Sequence, residues 1–281
     1  MQAPKAFTLK AHGAEMPAIG CGSLYLEEEG AAEIVSAAIQ SGYRHIDTAR
    51  KYGTEKWVGD GIRASGIDRD ELFVTTKVTE ENAHEADFAR SVEESLKTIG
   101  LDYVNLLLIH WPQPKVPLAE TLGALAKAKR QGLARNIGIS NFTLALLDEA
   151  VRICPEPLVT NQIEYHAYIN QDKLLAACRH HGLIVTAHVP LARGKVVADP
   201  AIGEIARGKD KSPAQIALRW LIQQPGVAAV PRTMDKKELA ENIDVFDFSL
   251  SQDEMDRISA LRVNNLRVVD PAVRRPVWDE A

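Results

Sequence analysis

GYRHIDTARKYGTEKWVGDGI, residues 42–62, holds one strand, one loop and one helix in succession. Residues 44–48 read as a short strand, and residues 54–64 as the helix that follows it, with Thr54 placed as an N-cap. Two polar side chains, Asp47 and Tyr52, fall where the strand gives way to the loop. Taken singly, Asp47 is a turn or capping residue and Tyr52 a half-buried aromatic, because short motifs carry little weight alone.

The same unit recurs on either side. Strand patterns occupy residues 19–22, 44–48, 72–78, 104–110, 135–140, 159–164, 184–189 and 227–231. Helical periodicity occupies residues 31–40, 54–64, 86–99, 118–131, 143–153, 171–181, 213–223 and 236–242. Gly42, Gly100, Gly132 and Gly182 follow helices, as closing residues do. LFVTTKV and VNLLLIH are nearly unbroken apolar runs, which suits strands covered on both faces. Eight strand and helix pairs in 281 residues predict an α/β fold, a (β/α)8 TIM barrel, whose usual size is about 250 residues. Residues 7–9 and 16–19 are expected to form an N-terminal β-hairpin. Residues 199–211 are a longer loop or extra helix, residues 251–261 an added helix, and residues 262–281 an irregular tail over the active-site mouth. No linker composition divides the chain, so one domain over residues 1–281 is expected.

Composition narrows the partners. Thirty-three Lys and Arg against thirty-eight Asp and Glu give a net charge of -5, unlike a surface built for a phosphate backbone. No secretory pattern opens residues 1–20, and no apolar run approaches a membrane span. Cys21, Cys154 and Cys178 lie far apart without CxxC spacing, which disfavours a zinc site or a disulfide framework and fits a reducing, cytoplasmic setting. The adjacent His180 and His181 sit at a helix end, and His166 and His188 lack a spaced acidic partner, so no metal is expected.

In a barrel of this kind the reacting groups come from the carboxyl ends of the strands. That rule brings together Asp47, Tyr52, Lys77 after FVTT, and His110 after NLLLI. Singly, Lys77 could be a snorkelling lysine and His110 a satisfied core histidine. Together they form a proton relay. A phenol titrates near 10, so it is a poor acid near neutrality without help. A nearby Lys77 ammonium is expected to lower that value, with Asp47 keeping the lysine charged and aimed. His110 would orient the substrate oxygen or share the proton.

Six segments in order and at matching spacing, GYRHIDTARKYG, FVTTKV, LLLIHWP, NIGISNF, TNQIEYH and VPRTMDKKELAEN, make the chain resemble the aldo-keto reductases over nearly its whole length. Within them it is most similar to the bacterial diketogluconate reductases. The resemblance implies that Asp47, Tyr52, Lys77 and His110 are the catalytic tetrad, with Tyr52 as general acid in NAD(P)H-dependent reduction of small aldehydes, ketones or dicarbonyls. It implies a nicotinamide cofactor held without a Rossmann motif, in keeping with Tyr25 standing where the third glycine of GxGxxG belongs after Gly20 and Gly22.

By the same resemblance Ser140, Asn141 and Gln162 bind the carboxamide, although Ser140 and Asn141 could instead cap the next helix. Gly22, Ser23, Pro190, Leu191, Pro231, Arg232, Thr233, Glu238, Glu241 and Asn242 line the rest of the dinucleotide. Leu24, Tyr25, Trp111 and Trp278 surround the substrate, with Val277 beside Trp278 in the closing tail.

Two positions depart from the family's pattern. His188 stands where an aromatic ring usually stacks on the nicotinamide, and its charge near neutrality would disfavour the oxidised ring. Glu238 stands where arginine usually clamps the 2′-phosphate, opposing the retained Arg232; Lys236 and Lys237 could compensate. NADP(H) is slightly favoured, with NAD(H) possible. A monomer acting on a small carbonyl compound is the main expectation. The alternatives are a nucleotide-binding barrel serving as a sensor or subunit, and a metal-assisted hydrolase on the same barrel.

Overall fold

The structure is a computed structural model that describes residues 7–24, 26 and 30–280. Two short strands, β1 (Thr8–Ala11) and β2 (Ala14–Pro17), pair antiparallel from Thr8 with Pro17 to Ala11 with Ala14. Strand and helix then alternate: β3 (Cys21–Gly22), α1 (Ala31–Gln40), β4 (His45–Asp47), α2 (Glu55–Ser65), β5 (Phe73–Val78), α3 (Glu85–Ile99), β6 (Val104–Ile109) and α4 (Leu118–Arg130). There follow β7 (Ala134–Ser140), α5 (Leu144–Ile153), β8 (Leu158–Glu164), α6 (Asp172–His180), β9 (Ile184–His188), α7 (Pro200–Lys209), α8 (Pro213–Gln223), β10 (Val227–Ala229), α9 (Lys236–Ile243) and α10 (Gln252–Ser259).

Among the described residues, eight parallel strands run in chain order from β3 to β10. The ring closes where Ile19 bridges Ala229 in parallel. Ala229 N donates to Ala18 O at 2.8 Å, and Gly20 N and Gly22 N donate to Ala229 O and Pro231 O at 2.9 and 2.8 Å. The expected (β/α)8 barrel is therefore present, with the hairpin before it.

Alternation along the strands sorts the side chains into layers. Outward residues such as Ile46, Val74, Leu107 and Ile137 join the large core between sheet and helices. Phe73, Leu106, Leu108, Val159, Ile184 and Ala228 form a separate inner cluster with Ala11, Ala14 and Met16 of the hairpin. The hairpin thus plugs the amino-terminal end with apolar groups. Two residues further along the same inward rows come Thr75 and Lys77, and His110 follows Leu108. The polar layer lies at the opposite, carboxyl end.

Glycines in two places make this packing possible. A Cβ at Gly20 would lie 2.8 Å from the His45 ring, and one at Gly59 would lie 1.8 Å from Ile99 O. The pair Gly20 and Gly22 is therefore a barrel-closing feature rather than a phosphate loop. Gly100, Gly132 and Gly182 have φ of 79, 79 and 71°, the left-handed conformation expected after a helix.

Residues 199–211 resolve into helix α7, capped by Asp199 through Ala201 N and Ile202 N. Thr54 occupies the N-cap position of α2 but makes no side-chain cap there. Its Oγ1 instead bonds Ser23 Oγ at 3.0 Å and Thr48 Oγ1 at 3.2 Å, tying three neighbouring loops together.

Candidate active site

At the carboxyl end of β4 and β5, Lys77 Nζ donates to Asp47 Oδ1 at 2.5 Å and to Thr48 O at 2.8 Å. It also reaches Tyr52 OH at 3.5 Å. Asp47 Oδ2 accepts from Gln162 Nε2 at 2.8 Å, a bond that crosses the barrel from β8. Lys77 and Asp47 are 0 and 3 % exposed, and a buried charge is tolerable only with such partners. Burial pushes the lysine toward neutrality, but Asp47 and Tyr52 outweigh it and raise its pKa. Lys77 is held as an ammonium.

Tyr52 ends a single 3-10 turn, Arg50–Tyr52, closed by Gly53 with φ of 70°. Arg50 pairs with Glu94 and lies 3.7 Å from Glu55, while Lys51 pairs with Glu81. Glu55 in turn accepts from Thr76 Oγ1 at 2.7 Å. These contacts brace the turn on α2, α3 and β5. The Tyr52 ring meets the His110 ring edge-on at 5.5 Å, so all four expected side chains converge.

The electrostatics differ from the expectation for Tyr52 in one respect. Burial is the largest influence on the phenol and raises its pKa, and Lys77 only partly opposes it. Tyr52 is therefore held protonated at neutral pH rather than made strongly acidic in this state. His110 is driven well below the ordinary imidazole range, first by burial and then by Lys77 and Arg274. Its buried Nδ1 has no partner among the described residues. That nitrogen is enclosed by protein, so a bound oxygen would be met by the other nitrogen of the neutral ring, which can donate or accept.

Across the mouth, Asn141 Nδ2 donates to His110 O and to Ser140 Oγ, each at 3.0 Å. Its Oδ1 bonds His188 Nε2 at 3.0 Å, and Ser140 Oγ donates to Gln162 O at 2.8 Å. Asn141 adopts φ of 62°, a conformation asparagine tolerates better than most residues. Ser140, Asn141, Gln162 and His188 are thus one connected group at the ends of β7, β8 and β9. They do not cap α5, whose first turn is answered by the tail: Leu144 N donates to Asp279 Oδ2 at 2.9 Å.

His188 differs from expectation. Burial lowers its pKa to about 4 despite Glu164, so the half-buried ring is neutral near pH 7, and its charge cannot drive a pH response there. The Asn141 bond fixes its orientation, as a stacking position requires. A hydroxyl, two amides and a neutral ring at neighbouring strand ends, with the exposed Arg232 and Glu238 of the segment after β10, have the chemistry that a nicotinamide nucleotide needs.

At that far end Thr233 Oγ1 donates to Glu238 Oε2 at 2.5 Å and accepts from Asp235 N at 2.9 Å. Lys236 is engaged with Glu33, while Lys237 is exposed. Glu241 is exposed and Asn242 buried on α9; Pro190 and Pro231 are buried and Leu191 is half-buried. Ser23, expected at the cofactor, is 1 % exposed and engaged with Thr54.

Of the expected substrate residues, Leu24 is half-buried and Tyr25 lies outside the described residues. Trp111 is buried, and its ring meets Trp278 of the tail edge-on at 6.1 Å. Val277 beside it is exposed. Two participants were not foreseen, Arg274 and Glu164, and Gln162, expected at the carboxamide, has a further contact. Gln162 supports Asp47, Arg274 lies with its guanidinium 5.4 Å from the Trp111 ring centre, and Glu164 receives the tail. The acidic residue closing the apolar strand LVTNQIE was a usable signal for Glu164; the tail offers no periodicity that could have shown Arg274.

Comparison with known proteins gives the family. The profile of the Aldo/keto reductase family matches residues 17–263. Methylglyoxal reductase DkgB of Salmonella typhimurium is 38% identical over 267 residues, covering 94% of this chain and 99% of the relative. Glyoxal reductase of Bacillus subtilis is 41% identical over 257 residues, covering 90% and 92%. The crystal structure of Bombyx mori aldo-keto reductase in complex with NADP superposes with a TM-score of 0.89 at 35% identity, covering 95% and 96%. That of a candidate 2,5-diketo-D-gluconic acid reductase B gives 0.95 at 42% identity over 98% of both chains. With its barrel and the matched profile spanning most of its length, the chain belongs to the aldo/keto reductase family and is an NAD(P)H-dependent oxidoreductase.

Proposed function

We propose that this protein reduces small aldehydes, ketones and dicarbonyls to alcohols, with Tyr52 giving the proton to the carbonyl oxygen. The observation that carries the reading is the buried chain from Gln162 through Asp47 and Lys77 to Tyr52. When bound, the nicotinamide nucleotide supplies the hydride. The protein must then answer the negative charge that grows on oxygen.

Tyr52 holds its proton until that charge appears, because burial keeps its pKa high. As the proton leaves, the phenolate is stabilised by the Lys77 ammonium, which Asp47 keeps charged and in place. The neutral His110 ring, edge-on to Tyr52, orients the carbonyl oxygen toward it. Ser140, Asn141 and Gln162 are suited to the carboxamide, being able to donate and accept. We assign NADP(H) as the favoured cofactor and NAD(H) as second, since Arg232 suits a phosphate while Glu238 occupies the Thr233 hydroxyl. The NADP carried by the Bombyx mori relative supports that order.

Glyoxal and methylglyoxal, the substrates in the relatives' names, are the first compounds to try. We take the protein to act as a monomer in the cytoplasm, in keeping with three free cysteines, Cys21, Cys154 and Cys178. The test is consumption of NADPH and NADH in parallel against methylglyoxal, glyoxal and 2,5-diketo-D-gluconate. Turnover with NADPH is expected; no turnover of any carbonyl with either nucleotide would sink the reading.

A further inference from the structure

Glu164, the last residue of β8, is 1 % exposed, and its carboxylate has no part in the proton chain. Oε1 accepts from His166 Nε2 at 2.9 Å and from Val268 N at 2.6 Å; Oε2 accepts from Val269 N at 2.9 Å. His166 Nδ1 accepts from Tyr168 N at 3.3 Å, which leaves the proton on Nε2 and makes the ring a donor. Two of the three donors are thus backbone groups of the tail. We propose that Glu164 is a positioning residue that fastens the tail as one wall of the carbonyl site, controlling carbonyl affinity without touching the carbonyl.

The tail links the two places. Just past the anchor, Asp270 Oδ1 accepts from Trp278 Nε1 at 2.9 Å, and the Arg267 guanidinium sits 3.7 Å from the centre of the Trp278 ring. Trp278 and Arg274 then cover Trp111, the residue after His110. Arg274 also reaches Glu80 Oε1 at 3.4 Å. A buried carboxylate deprived of two N–H donors is unfavourable, so Glu164 holds the tail down as firmly as the tail satisfies Glu164. Burial alone would raise the Glu164 pKa, yet His166 and Val268 outweigh it and lower it, keeping the anchor charged at neutrality.

The inference rests on the reductase reading for its kinetic arm and on the fold alone for its second. Glu164→Gln places an amide donor against backbone donors, and Val268→Pro removes the shortest tail bond without touching Glu164. Loss of such a charge-assisted bond is expected to raise the KM for methylglyoxal at least about tenfold. The kcat and the Kd for NADPH should stay within about threefold of the parent, a difference of under 1 kcal/mol.

The double variant should be no worse than the poorer single one, since both break one link. Trypsin should cut after Arg274 faster in each variant than in the parent, Arg275 being protected by the proline that follows it. An unchanged KM in both singles, or additive effects in the double, would overturn the inference. If the parent reduces no carbonyl, the function is wrong instead, and unaltered tryptic cleavage of the tail in Glu164→Gln would then overturn the anchor independently.

Discussion

At the scale of single residues, Lys77 matters most, because a fully buried ammonium serves both stability and chemistry. Replacing it by methionine leaves Asp47 facing Gln162 alone. Removing one member of a buried ion pair typically costs about 3–5 kcal/mol. Lys77→Met should lower the unfolding free energy by about that amount in urea titration and slow reduction well beyond any effect on NADPH binding. A stable, fully active variant would contradict the assigned role. Asp47, Lys77 and His110 were legible from their places at the ends of apolar strands. The bond from Gln162 to Asp47 was not, since no local pattern links residues 115 apart in sequence. The protonation of Tyr52 and the neutrality of His188 follow from burial, which only the assembled barrel sets. Glu238 is decided by its hydroxyl partner Thr233: Glu238→Arg removes a carboxylate from the phosphate end and should raise the ratio of NADPH to NADH efficiency at least about tenfold, or 1.4 kcal/mol. An unchanged ratio in steady-state assays would remove this position from the account.

Among the elements, α2 carries the heaviest constraint, because it follows the turn that presents Tyr52 and must lie close to both α1 and α3. Gly59 and Gly61 make that approach possible: a Cβ on Gly61 would meet Ala32 O at 2.6 Å, and one on Gly59 would overlap Ile99 O. In an isolated helix Gly→Ala would stabilise by about 1 kcal/mol. Here Gly59→Ala should destabilise by about 1–3 kcal/mol, as overpacking does, and thermal unfolding gives the sign directly. Strands and helices were legible because their periods differ; α1 and α8 fall on the residues that periodicity predicts. The extra helix α7 was left open by residues 199–211, where a Pro and an Asp cap mark a start but the apolar face is short. The tail was legible only as irregular, since its contacts are made by backbone groups of Val268 and Val269 and not by a patterned face.

For the whole molecule, acid should be the weak point. His45 and His188 titrate at about 4, and His110 well below its ordinary value, all chiefly through burial. Their folded pKa values lie below the unfolded 6.5, so the unfolded chain takes up protons first as pH falls. The stability they allow is complete above pH 6.5 and is lost as pH drops toward 4, by about 1.4 kcal/mol per pH unit for each histidine. Urea unfolding at pH 7, 6 and 5 should show that slope; a flat profile would mean these rings are open to solvent. The cysteines add no such liability, because burial raises the Cys21 and Cys178 thiols to about 12.

One barrel thus separates an apolar, hairpin-plugged end from a polar end where a phenol waits beside an ammonium. The most direct test is the single-turnover rate of methylglyoxal reduction by Tyr52→Phe with saturating NADPH, with the Kd for NADPH measured alongside. The account predicts a rate lower by a factor of about 10²–10⁴, the usual worth of a general acid, with nucleotide affinity unchanged. A Tyr52→Phe enzyme that reduces the carbonyl as fast as the parent would contradict it.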